Sequence, residues 1–178
     1  MIISVSKYNR SSLTDSQKEF FRNLVPLASL IQDWSQSKAQ FLNIDSPVGI
    51  FPSLVMADII TASDCGEHPI SKAKYGSRYS NNLSLLKSDK YWSGKSHTYS
   101  DGVVYRSYSD WRAFAVDYTD YLCFNSQYRD LLLSKNLLDQ INIKSLEKIN
   151  SSSYNSILIS TIKSLGLEEF DGIQKRTF

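Results

Sequence analysis

The chain is poor in the residues that staple, ligate or cradle. Two cysteines in 178 residues build no disulfide framework, and Cys65 and Cys123 are expected as free thiols, with Cys65 partly buried. The two histidines, His68 and His97, stand in no cluster with metal-ligand spacing, so no metal and no cofactor is expected. Seven scattered glycines form no phosphate-binding loop, and the many serines include no nucleophile elbow. No stretch approaches the ~20 apolar residues of a membrane-spanning helix, which argues against membrane insertion. Residues 1–7 lack the apolar core of a signal peptide. A formal net charge of +2 without a basic run gives nucleic acid no electrostatic footing.

What is present is ordinary globular usage, 42% hydrophobic and 21% charged, in a length that suits one core. Thr14 and Gln17 have the spacing of a capping box, and Phe20, Leu24, Leu27, Ala28 and Ile31 then recur with helical period. Pro26 falls inside that run and predicts a kink or two short helices. Pro52 suits the first turn of a second helix reaching Ala62. Residues 64–82, with Ser, Gly, Lys, Tyr and Pro69, predict an irregular loop with one short helix. Ser100-Asp101-Gly102 is a turn signal between residues 95–99 and 103–105, which predicts a hairpin. Helices are expected over 111–122, 127–138 and 153–165, the last stopped by Gly166. The predicted core includes Leu24, Ala28, Ile31, Val55, Ile59, Phe114, Tyr118, Leu122, Ile157 and Ile162. The expected organisation is an N-terminal arm, 1–14, and a single domain, 15–178.

The segment from Phe51 to Gly66, FPSLVMADIITASDCG, resembles the helix of bacterial and phage endo-β-N-acetylglucosaminidases that reads Pro-Ser-x-x-x-Ala-Gln-x-x-Leu-Glu-Ser-Gly-Trp-Gly. Further motifs follow in the family's order. Asn81-Asn82-Leu83-Ser84-Leu85-Leu86-Lys87 is similar to Asn-Asn-Leu-Phe-Gly-Ile-Lys. Trp92-Ser93-Gly94-Lys95 and Tyr105-Arg106-Ser107-Tyr108-Ser109-Asp110-Trp111, followed by Asp117-Tyr118, look like the lobe motifs. Tyr154 to Ile159 and Leu165 to Asp171 are similar to the closing helix and its Leu-x-x-Tyr-Asp ending. The resemblance covers nearly the whole chain. It implies an α+β, mainly α fold, a lysozyme-like helical domain with a small β-hairpin lobe.

It also implies a glycoside hydrolase chemistry that one residue denies. The family's glutamate, which protonates the glycosidic oxygen, falls on Ala62. A methyl group donates no proton, and losing a general acid forfeits about 10²–10⁴ in rate. The nearby acids are Asp64, Glu67 and Asp101. Asp64 would project roughly 200° from position 62 on a continuing helix, so its use needs a rearranged turn. Glu67 fits a solvated loop, and Asp101 is explained by its Asp-Gly turn. The family's Leu, Gly and Trp around the acid are Thr61, Asp64 and Cys65 here, its Phe-Gly is Ser84-Leu85, and its Thr-x-Glu segment is missing. Changes clustered in this way fit natural loss of catalysis better than a single engineered knockout.

The expected role is that of a glucosaminidase-fold pseudoenzyme that binds peptidoglycan or another N-acetylhexosamine glycan, at the cell wall or as a virion component among other virion proteins. The alternative is an active or knocked-out cell-wall glucosaminidase. Aromatic rings with polar tips suit sugar faces. The expected glycan-binding residues are Tyr79, Asn81, Asn82, Trp92 and Tyr108, with Ala62 on the floor of the groove. Residues 1–12, which have no counterpart in the resemblance, are expected to dock on a neighbouring subunit.

Overall fold

The computed structural model describes residues 8–72, 74–75, 78–146 and 151–172. Helix α1 (Asp15–Phe41) opens on the expected capping box. The Gln17 N–H donates to the Thr14 hydroxyl at 3.2 Å, and the Thr14 N–H donates to the Gln17 side chain at 3.0 Å, so two otherwise orphaned donors are satisfied. Pro26 does not split the helix. Phe20, Phe21, Leu24, Leu27, Ala28 and Ile31 are all buried on the face that spans it, and this burial outweighs the ~3 kcal/mol that an interior proline costs.

Helix α2 (Pro52–Ser63) carries proline in its first turn and no side-chain N-cap of its own. A residue 118 positions away completes it. The Asp171 carboxylate accepts from the Ser53 N–H at 2.8 Å and the Ser53 hydroxyl at 2.7 Å, placing a negative group at the positive end of the helix. Leu54, Val55, Met56, Ala57, Ile59 and Ile60 are buried all around the helix, so α2 is the central element. It packs on α1, on α5 (Leu137–Ser145), on α6 (Ser151–Leu165) and on a 3₁₀ turn at Leu167–Phe170.

After α2, the segment predicted as loop holds the short helix α3 (Pro69–Lys72) and also a pair of short antiparallel strands, β1 (Lys74–Tyr75) and β2 (Arg78–Tyr79), which the polar composition hid. The hairpin forms as expected between β3 (Lys95–Thr98) and β4 (Val104–Ser107), with Gly102 at φ 77° in its turn. The segment before β3 packs beside it: the Arg106 N–H donates to the Leu86 carbonyl and the Ser88 N–H to the Val104 carbonyl. Helix α4 (Trp111–Phe124) is capped by Asp110, which accepts from the Ala113 N–H at 2.8 Å.

The helix expected over 127–138 is instead a 3₁₀ turn at Ser126–Leu131, followed by α5. Two asparagine caps explain the difference. Asn125 accepts from the Gln127 N–H and Asn136 from the Asp139 N–H, so each starts its own element and the segment between them belongs to neither. Helix α6 ends at Gly166 in the left-handed region, as expected. The predicted core is buried except at Ile157, which is half-buried while Leu158 faces inward, a shift of one residue on that helix. Cys65 and Cys123 are both buried, and neither is in a disulfide. The architecture is mainly helical α+β with a small hairpin lobe. No helix among the described residues is long and apolar enough to cross a membrane.

Candidate functional site

Position 62 lies on the last turn of α2, and local bonds fix how that turn ends. The Ser63 hydroxyl donates to the Ile59 carbonyl at 2.7 Å and accepts from the Gly66 N–H at 2.9 Å; the His68 N–H donates to the Ser63 carbonyl at 2.7 Å. Asp64, Cys65 and Gly66 follow in succession with φ of 52°, 53° and 82°. Gly66 is obligatory here, because a Cβ would sit 2.4 Å from the Phe20 ring. Ala62 is half-buried just before this turn, and its methyl carries no exchangeable proton.

The acids proposed as substitutes are engaged elsewhere. Asp64 accepts from the Tyr8 hydroxyl at 2.6 Å and lines a small polar cavity with Tyr8, Asn9, Ser12, Leu13 and Gln17, at the start of α1. Burial and this carboxylate push the Tyr8 hydroxyl well above its ordinary pKa. Glu67 is exposed, paired with Lys72, and accepts from the Ser16 hydroxyl at 3.0 Å. The Lys72 hydrogen bond, helped by Ser16, holds its carboxyl below the usual range, which is the wrong direction for a group that must hold a proton until catalysis. Asp101 accepts from the Val103 N–H and the Tyr105 hydroxyl, as its turn requires.

Four of the expected glycan-binding residues, Asn81, Asn82, Trp92 and Tyr108, make contacts within the lobe. Asn82 is fully buried; its amide donates to the Leu86 and Arg106 carbonyls, each at 2.9 Å, and accepts from the Leu86 N–H at 2.9 Å. Asn81, at φ 51°, donates to the Tyr108 carbonyl at 3.1 Å. Trp92 is half-buried: a Cβ on Gly94 would lie 2.3–2.8 Å from three consecutive ring atoms, so Gly94 packs against the ring. The Arg106 guanidinium is 4.9 Å from the same ring, and Tyr108 meets it at 5.5 Å. Tyr108 is buried and donates to Asp117 at 2.6 Å; burial and that carboxylate push its hydroxyl far above the ordinary value. Asp117 also takes Arg106 through both oxygens, at 2.9 and 2.8 Å. The Tyr79 side chain lies outside the described residues. His68 and His97 are turn and strand residues, and no group of three metal-ligating side chains occurs among the described residues.

Sequence reasoning missed Asp58, which stands where the resembling pattern has glutamine. It lies one helical turn before Ala62 on the same face of α2 and is 1% exposed. Its carboxylate accepts from the hydroxyls of Tyr118 at 2.6 Å, Tyr154 at 2.6 Å and Ser84 at 2.9 Å, and lies 3.5 Å from the buried ammonium of Lys144. Both of its oxygens are thus occupied by side chains of its own domain. The signal available in the sequence was an acid inside an otherwise apolar helix, a position seldom filled without partners.

Comparison with known proteins fits this geometry at the level of fold. No protein-family model matches the chain, and a search of curated proteins found no match. Solved structures do match. The catalytic domain of the autolysin Auto from Listeria monocytogenes superposes with a TM-score of 0.65 at 17% identity, covering 90% of each chain. The glycoside hydrolase domain of FlgJ from Salmonella typhimurium gives 0.66 at 20% identity over 88% of this chain and 91% of its own. An N-acetylmuramoyl-L-alanine amidase from Staphylococcus aureus gives 0.67 at 18% identity over 93% of this chain and 46% of its own. The fold is therefore the lysozyme-like, glucosaminidase-like one.

Proposed function

We propose that this protein binds peptidoglycan or a related N-acetylhexosamine glycan without cleaving it. The observation that carries the reading is the state of the acids around α2. Position 62 is alanine, Asp64 is bonded to Tyr8, Glu67 is exposed and paired with Lys72, and Asp58 is buried among three hydroxyls and a lysine. Protonation of a leaving sugar needs a carboxylic acid that is both protonated and within reach of the bond. Position 62 has no carboxyl, and the other three carboxyls are held by side chains of the domain. The glycan half of the reading rests on the fold, which is that of an autolysin catalytic domain and a glycoside hydrolase domain. Function argued from fold is an analogy, so it needs its own test.

The test is co-sedimentation of the purified protein with insoluble peptidoglycan, and with cellulose as a glycan lacking acetamido groups. Retention on peptidoglycan that soluble N-acetylglucosamine oligomers compete away is the expected result. Equal partition between pellet and supernatant at all peptidoglycan loads would refute the reading.

A further inference from the structure

The hairpin lobe is the basic part of the chain. Residues 72–112 hold eight lysines and arginines against three aspartates, a net charge of +5 where the whole chain has +2, so everything outside them sums to −3. The three acids are already committed. Asp89 accepts from Arg106 at 2.8 Å and from the N–H groups of Tyr91 and Trp92, Asp101 accepts from the Val103 N–H and the Tyr105 hydroxyl, and Asp110 caps α4. Lys18, Lys38, Lys72 and Lys144 each face a carboxylate, whereas Lys87, Lys90 and Lys95 are exposed and, among the described residues, have no acidic partner. Pairing sets where they stand. Lys87 and His97 both lie opposite Tyr105 of β4 and Lys95 lies opposite Ser107, so Lys87 and Lys95 share one face of the hairpin and the segment beside it, about 12 Å apart by strand spacing and rise. Lys90 stands in the turn region between that segment and β3, its ammonium 4.8 Å from the ring of Tyr91, which is 82% exposed. Ser84 donates to Asp58, one helical turn before Ala62, and Lys87 follows Ser84 by three residues, so it lies within roughly 11 Å of a residue that touches α2 beside position 62.

We infer that Lys87, Lys90 and Lys95 form a cationic docking face that holds the carboxylates of the peptide stems of peptidoglycan while its glycan is bound. This rests on the glycan-binding reading above and names a second component of the ligand, recognised by the lobe. Charge complementarity selects the partner. Three ammonium groups without acids of their own, spread over about 12 Å by strand spacing, suit carboxylates repeated along a polymer better than one compact anion. Within the folded chain alone the cluster is unfavourable, because like charges that meet no counter-charge repel. A lysine ammonium is a mobile point charge on a flexible stem, so such a face reads charge without demanding one fixed geometry, which suits peptides that hang from a strand. One exposed ion pair contributes little, and the face therefore acts through several pairs made at once on the same polymer.

The experiment measures co-sedimentation with insoluble peptidoglycan freed of attached phosphate polymers, and with the same material after its carboxylates have been converted to methylamides, which leaves the glycan intact. The wild type should bind the untreated polymer about tenfold more tightly at 0.1 M salt, the combined effect of a few exposed ion pairs. At 1 M salt, where the screening length falls from about 10 Å to about 3 Å, the two polymers should bind alike. The triple variant Lys87→Gln, Lys90→Gln, Lys95→Gln should bind both polymers alike at either salt, and the corresponding triple arginine variant should keep the preference for free carboxylates. Melting temperatures report whether the variants fold, and the methylamide comparison tests the face with the wild type alone. A wild type that binds both polymers equally at 0.1 M salt, or a folded glutamine variant that keeps the wild-type preference, would overturn the docking face and leave the glycan reading standing. Retention on duplex DNA as tight as on untreated peptidoglycan would overturn the assignment to peptide carboxylates. A wild type that sediments with neither polymer would overturn the glycan reading and the face that rests on it.

Discussion

Two of the non-glycine residues with positive φ stand at positions where the resembling pattern has glycine: Asp64 and Leu85, with φ of 52° and 54°. The left-handed region costs a non-glycine residue roughly 1–2 kcal/mol, with aspartate among the more tolerant and leucine not. Leu85→Gly should therefore stabilise the protein by about 1 kcal/mol, less what its half-buried side chain contributes, seen as a higher midpoint in thermal or urea unfolding. A lower midpoint would mean that side-chain packing there outweighs backbone strain. At position 62 itself, Ala62→Glu should leave reducing-end release from peptidoglycan at background. The new carboxyl would stand one turn from Asp58, among Thr61, Asp64, Cys65 and Ser84 in place of the resembling pattern's residues, and a catalytic group misplaced by ~1 Å loses on the order of 10²-fold. Strong hydrolysis by Ala62→Glu would show an inactivated enzyme whose surrounding shell is intact.

Among elements, α2 matters most, because it carries position 62 and is completed at its start from the far end of the chain. Burial raises the Asp171 carboxyl above its ordinary range, and the Ser53 hydrogen bonds offset this only in part. A carboxyl that is harder to ionise in the folded state binds its proton more tightly there than in the unfolded chain. Its contribution to stability is thus fully present at low pH and declines as pH rises from the unfolded value through the raised folded one. Asp171→Asn removes that slope. The stability difference between wild type and Asp171→Asn, from urea unfolding at a series of pH values, should become less favourable to the wild type as pH rises from about 4 toward 7. A difference that grows with pH would contradict the stated direction. The elements were legible where one local signal governed them: the Thr14 and Gln17 capping box, the Asp-Gly turn and Gly166 all act as their chemistry requires. Pro26 misled because burial on α1 overrides a local breaker. The stretch at 127–138 misled because caps at Asn125 and Asn136 divide what hydrophobic spacing joins.

For the whole molecule, the sequence carried the fold further than the site. The ordered motifs that suggested a lysozyme-like domain are largely contacts of one structure: Pro52-Ser53 meets Asp171, Asn82 ties the segment at Leu86 to β4 at Arg106, and Asp117 binds Arg106 and Tyr108. Asn81, Asn82 and Tyr108, named as sugar ligands, make hydrogen bonds within that scaffold, and a sequence does not show which polar atoms already have partners. Asp58 escaped notice for the same reason, since its partners come from α4, α5, α6 and the segment before the hairpin. Residues 8–12, part of the segment expected to dock on a neighbouring subunit, pack on their own domain: Tyr8 is buried, and Arg10 pairs with Glu169 at 2.5 Å. Residues 1–7 lie outside the described residues.

The central claim is that a hydrolase fold persists here without a usable acid. The most direct test is the release of reducing ends from purified peptidoglycan by the chain as it stands, followed to protein concentrations that saturate binding. The account predicts release no greater than the buffer control, while the protein remains bound to the insoluble polymer. Release that rises with protein concentration and disappears in Asp64→Asn or Glu67→Gln would establish a relocated acid and contradict it.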